Sequence, residues 1–166
     1  MYKLHFLLYP YYMESSILKE LIVNAEVYEV WDAWTTEAGI KTFFAPDGKV
    51  ELKESGKYEI YFLPPEKEGA RGSEDCHIIC FTPKKMLSFS WSAPPEYPEI
   101  RRQRTTVVVW LEHIDDYKTL VKIEHTGWKE SEQWNAVYDY FQKAWDVVLS
   151  RLQKRFIDGP IIWNEQ

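Results

Sequence analysis

The chain has 166 residues, 45% apolar and 28% charged, with a net charge of −6. That length and mix suit a single folded domain with a sizeable core and exclude a wholly disordered chain. No apolar run is long enough to span a membrane, and the acidic balance excludes a general nucleic-acid or anionic-membrane binder.

Aromatic residues are unusually frequent: 8 Trp, 11 Tyr and 8 Phe make up 16% of the chain. So many rings either overfill a core or wall a cavity. Residues 1–13 carry one lysine, a short apolar run and Pro10. This start weakly imitates a signal peptide, but no small-residue cleavage site follows. The reading is an N-terminal extension outside the core, with Met13 opening a more ordinary start.

Residues 16–24 alternate as a first strand, with Ile17, Lys19, Leu21 and Val23 on one side. Residues 26–35 place Val27, Val30, Trp31 and Trp34 at helical spacing, with Glu26 and Glu29 in the favourable first turn. Thr36 is positioned to cap a second short helix over 37–44, which Pro46 ends. Neither helix has a basic face, so the pair is a connector and not a DNA reader.

The middle of the chain reads as strand. Segments 49–53 and 57–63 flank the turn Glu54-Ser55-Gly56, and strands follow at 74–82, 86–92, 105–114 and 117–126. A polar loop spans 64–72. A second loop, 93–103, has three prolines and is too long for a simple hairpin turn. Cys76 and Cys80 lie four apart, about 13 Å along an extended strand, too far for a disulfide. His77 between them points to the other face, so no metal site is expected. Two reduced strand cysteines fit a reducing compartment, and the expected location is cytoplasmic.

From Ser131 to Phe156 the residues Trp134, Tyr138, Phe141, Trp145, Val148 and Leu152 form one stripe of a long amphipathic helix. Ser131 is its N-cap, and Gly159-Pro160 closes it. The stripe is aromatic in its first half and aliphatic in its second, as for a helix that crosses a cavity before entering packed core. The element order predicts an α+β domain over 14–158. A curved antiparallel sheet of six to seven strands wraps around a long C-terminal helix, two short helices follow the first strand, and 159–166 form a tail.

That order, and the strings VWDAWTTEAG, GKYEIYF, PKKMLSFSWSAPPEYPEIRRQRT, TLVKIEHTGW and EQWNAVYDYFQKAWDVVLSRLQKRF, resemble the START-like helix-grip superfamily (SRPBCC). This superfamily includes the birch-pollen allergens and polyketide cyclases. Within it the chain is similar to the family named after an activator of a heat-shock-protein ATPase, over about residues 14–158. The superfamily spans lipid binders, cyclases, dehydratases and cochaperones, so the resemblance implies the fold more than the function.

Matching strand phase to the family pattern turns three rows inward: Tyr58, Ile60 and Phe62; Val107, Val109 and Leu111; Val121, Ile123 and His125. Of these, Tyr58, Ile60, Phe62, Val109, Leu111, Ile123 and His125, together with Trp91, Trp128, Trp134, Tyr138 and Phe141, are the residues of an expected ligand site. His125 is placed near the entrance as a polar group, and the tryptophans act as an aromatic clamp. Trp110 falls on the opposite phase, on the convex face, where it marks a candidate homodimer contact. Glu112 and Glu124 also face outward. Arg101, Arg102 and Arg104 are read as a solvated loop face.

No nucleophile elbow, zinc helix, phosphate loop, dinucleotide glycine pattern or Cys-x-x-Cys occurs. The first reading is a cofactor-free protein that binds a small apolar or aromatic molecule between sheet and helix. The alternatives are a cyclase or dehydratase using His125 with Tyr58 or Tyr138, and a cochaperone-like interaction module.

Overall fold

Three helices start where a side chain satisfies a free backbone N–H group. Helix α1 (Val27–Thr35) follows Glu26, whose N–H donates to the Glu29 carboxylate at 3.3 Å. Helix α2 (Glu37–Ile40) is capped by the Thr36 hydroxyl, which accepts from the Gly39 N–H at 2.9 Å. It is shorter than the helix expected over 37–44. The residues that follow form turns that insert Phe43 and Phe44, both fully buried, beside Trp34. The long helix α4 (Glu132–Asp158) begins at Ser131, whose hydroxyl accepts from the Trp134 N–H, and ends at Gly159 with φ of 95°. That left-handed value suits glycine.

These features belong to a computed structural model, which describes residues 15–163. The expected extension over 1–13 and the end of the expected tail lie outside the described residues.

Five antiparallel strands form the main sheet: β1 (Ile17–Val23), β4 (Ile78–Thr82), β5 (Met86–Trp91), β6 (Thr105–Asp115) and β7 (Lys118–Thr126), in the order β1-β7-β6-β5-β4. The other two strands, β2 (Asp47–Val50) and β3 (Tyr58–Tyr61), pair as a separate ribbon. The ribbon joins the β4 side through a Lys57–His77 bridge and a 2.9 Å bond from the Tyr58 N–H to the Cys76 carbonyl. The expected single sheet of six to seven strands is therefore a five-stranded antiparallel sheet with a two-stranded ribbon bridged to its β4 side. The strand expected over 74–82 starts only at Ile78, and its register shifts between Ile78 and Cys80. Cys76 is buried, Cys80 is half-buried, and both are free thiols. The loop over 93–103 contains one unexpected element, the helical turn α3 (Pro98–Arg101), which has proline at its start.

Strand phase decides the core. Val107, Val109 and Leu111 are buried, as are Val121, Ile123 and His125, while Trp110 between them is 45% exposed. Pairing of Val109 with Ile123 and of Leu111 with Val121 sets these rows side by side. On β1, Ile17 and Val23 face the core and Leu18 and Ile22 face out. From α4, Trp134, Val137, Phe141, Trp145, Val148, Leu149 and Leu152 join this core. Burying a large apolar side chain contributes roughly 1.5–3 kcal/mol, so this stripe holds the helix to the sheet. Val137 and Leu149 widen the stripe beyond the expected residues, and Tyr138 sits only partly inside it.

Candidate functional site

Two loops and one face of α4 enclose a pocket of about 390 Å³. Its floor is aromatic. Phe44 stacks on Trp91 with ring centroids 5.8 Å apart and planes at 17°, and Trp145 closes the triangle at 5.8 Å from Trp91 and 6.0 Å from Phe44. Phe62 meets Phe44 and Trp91 edge-on. The α4 wall is Tyr140, Phe141, Ala144, Val147, Val148 and Arg151. Opposite it lie Leu63, the 70–73 stretch and the 92–96 stretch, with Arg101 behind them. Tyr140 and Val147 are about half exposed (51% and 49%) and mark the mouth.

The loops keep their shape through a buried ion pair. The Glu74 carboxylate, 7% exposed, accepts from the backbone N–H groups of Gly69, Arg71 and Gly72 and from the Arg71 and Arg101 side chains. Burial alone would raise its pKa. The hydrogen bonds from Arg71, Gly72 and Gly69 outweigh burial and hold it below the usual carboxylate range. The other guanidinium bonds of Arg101 run to the Gly72 and Ala93 carbonyls at 2.5 and 2.6 Å and to the Ser92 hydroxyl at 3.3 Å. One arginine thus ties the two loops together. Gly72 is obligatory here because a Cβ would lie 1.9 Å from the Ile60 carbonyl oxygen. The expectation that Arg101 belongs to a solvated face is corrected. Arg102 fits that expectation, pairing with Glu99 at the surface, whereas Arg104 reaches the Arg101 and Glu74 carbonyls.

Of the twelve residues expected to line a ligand site, Phe62, Trp91 and Phe141 line this pocket. Tyr58, Ile60, Val109, Leu111 and Ile123 are core residues outside its lining. Phe62 lies past the end of β3 and is 36% exposed, at the rim and not in an inward strand row. Trp128, Trp134 and Tyr138 form a second aromatic group around His125, with Trp128 4.4 Å from the imidazole and 5.1 Å from Tyr138. Here the rings interdigitate.

His125 is fully buried and does not line the pocket, which corrects its expected place near the entrance. The Trp145 indole N–H donates to its Nδ1 at 3.0 Å, and Nε2 lies 2.7 Å from the Thr105 hydroxyl. An indole only donates, so Nδ1 accepts and the neutral ring carries its proton on Nε2. The Thr105 hydroxyl passes the chain on to the Trp91 carbonyl. Burial lowers the His125 pKa to about 3, so the ring is neutral near pH 7. Tyr58 is also buried, donates to the Trp34 carbonyl at 2.9 Å and has its pKa raised by burial. The Tyr138 hydroxyl faces the Ser16 carbonyl at 3.4 Å.

The sequence had pointed to neither Phe44 nor Arg151, nor to the Glu74–Arg101 pair. A buried acid facing a loop arginine 27 positions away leaves no local pattern. Among the described residues no cluster of His, Cys, Asp or Glu is arranged to hold a metal, and no helix is long and apolar enough to cross a membrane.

The fold recurs in solved structures. Protein MLL2253 from Mesorhizobium loti is 17% identical with a TM-score of 0.69, the match covering 89% of this chain and all of that one. The Aha1 dimer from Colwellia psychrerythraea is 19% identical with a TM-score of 0.66, covering 87% and 98% of the two chains. CalU16 from Micromonospora echinospora is 25% identical with a TM-score of 0.62, covering 89% and 76%. No curated protein matches the sequence. The sequence profile described as "Activator of Hsp90 ATPase homolog 1-like protein" matches residues 24–156. With a START-like helix-grip fold and a profile match over most of its length, the chain belongs to the activator of Hsp90 ATPase homolog 1-like family.

Proposed function

We propose that this protein binds a small apolar or aromatic molecule in the pocket between α4 and the two loops tied by Arg101. The observation that carries the reading is the stacked floor of Phe44, Trp91 and Trp145 beneath an open volume of about 390 Å³. Small-molecule sites are commonly concave, mostly apolar and roughly 300–1,000 Å³ in size. Covering about 200 Å² of apolar ligand surface at roughly 25 cal/mol per Å² yields about 5 kcal/mol before ordering costs, a Kd of about 0.2 mM at the tightest, so binding through this surface alone falls near the millimolar range. A cyclase-type role for His125 gains no support from the geometry, because both ring nitrogens are engaged and the ring lies outside the pocket lining. Ala144→Phe tests the reading, since Ala144 lines the pocket from α4. The variant should fold and lose binding of an apolar fluorescent probe. Undiminished binding in a folded Ala144→Phe variant would refute it.

Self-association is a second reading. It is supported by exposed Leu18, Ile22 and Trp110 on the outer sheet face and by the dimer solved for the Colwellia relative. Light scattering at micromolar concentration should give a dimer mass that Trp110→Ser lowers.

A further inference from the structure

We propose that the ligand is a planar aromatic anion whose ring lies on Trp91 and Trp145 and whose acidic group pairs with Arg151. The inference rests on the pocket reading above and adds the ligand's charge.

Three arginines line the pocket, and two of them are committed. Arg101 divides its bonds among Glu74 and the Gly72, Ala93 and Ser92 oxygens. Arg71 bonds Glu74 through Nε and stacks its guanidinium over the Tyr61 ring at 4.6 Å. Arg151 has no acidic partner among the described residues. Its contacts are a long bond to the Phe44 carbonyl at 3.4 Å and the face of Trp163 at 5.2 Å.

Trp163 is itself held in place. Its indole N–H donates to the Lys41 carbonyl at 2.6 Å, and the neighbouring Ile161 N–H bonds the Thr42 carbonyl at 2.9 Å. The tail thus presents an aromatic face that orients the guanidinium and leaves its N–H fork under-used. Stacking on one face while bonding an acid in plane is a property of arginine that lysine lacks.

The floor offers a ligand ring faces and no second donor, because the Trp91 indole N–H, which has no hydrogen-bond partner, is buried out of reach of the open volume. The lining carboxylate, Glu96, is exposed. In a protein of net charge −6, this pocket sets arginines around an aromatic floor.

The test compares two dyes that share a ring system: anilinonaphthalenesulfonate, which is anionic, and N-phenylnaphthylamine, which is neutral. Both are titrated into the full chain at low salt, and only binding lost in Ala144→Phe is counted. The expected result is at least ten-fold tighter binding of the sulfonate, as for a charge-assisted pair. Arg151→Gln should cut that preference to about three-fold or less while leaving the neutral dye unchanged. Lys154→Gln, which removes an exposed charge from the same helix, should keep it. Equal affinity for the two dyes in the wild-type chain would overturn the inference while leaving the pocket reading intact. So would a preference that survives Arg151→Gln. Binding of neither dye would overturn both.

Discussion

The buried histidine makes stability depend on pH in a way that can be calculated. His125 has Thr105, Trp128, Phe141 and Trp145 as its neighbours, and burial lowers its pKa to about 3. In the unfolded chain it titrates near 6.5. Between these values the unfolded state holds more protons, so stability is complete above pH 6.5 and falls as pH drops toward 3. With those two pKa values the linkage relation gives a loss of about 2 kcal/mol at pH 5 and roughly 4–5 kcal/mol at pH 3 from this one group. Urea melts at pH 7 and pH 5 measure it, with His125→Gln as reference. The variant is less stable at pH 7, but its stability should change less between the two pH values, by about 2 kcal/mol. Equal pH dependence in the two proteins, or a native-state titration of His125 by NMR near 6.5, would refute the buried neutral ring.

Other substitutions separate the helix core from the loop clamp. Trp145→Ala should cost roughly 3–5 kcal/mol in a denaturant melt, since it removes a buried ring. Trp145→Phe, which keeps a ring but leaves His125 Nδ1 unpaired, should cost about 1–3 kcal/mol. Asp146→Ala should stay within about 0.5 kcal/mol, because its bond to Lys19 is at the surface. Arg101→Met leaves the buried Glu74 carboxylate without its arginine across the loops. It should cost about 3 kcal/mol and speed amide exchange in 69–74 and 92–96 before the rest of the domain. Uniform exchange throughout would contradict the clamp.

The sequence carried the scaffold better than the site because the two obey different rules. A strand row such as Val107, Val109 and Leu111, or a stripe such as Phe141, Trp145, Val148 and Leu152, is written in local periodicity. Both appear where that periodicity places them. The phase of His125 was legible for the same reason, but its depth was not. That depth depends on Trp145 and Thr105, each 20 positions away, arriving at its two nitrogens. The pocket depends on contacts of longer range. Glu74 meets Arg101 over 27 positions and Arg151 meets Phe44 over 107, and neither pair leaves a spacing signature. Inward-facing strand residues therefore made a poor guide to the lining. They pack against the helix, while the open space lies where the loops rise past it.

The most direct test of the central claim is an NMR titration of the full chain with an apolar aromatic probe, reading indole N–H and methyl shifts. Saturable changes should appear in the Trp91 and Trp145 indoles, Ala144 and Val148, with Trp110 unmoved. Changes centred on Leu18, Ile22 and Trp110 of the outer face, or none up to the probe's solubility, would contradict the claim.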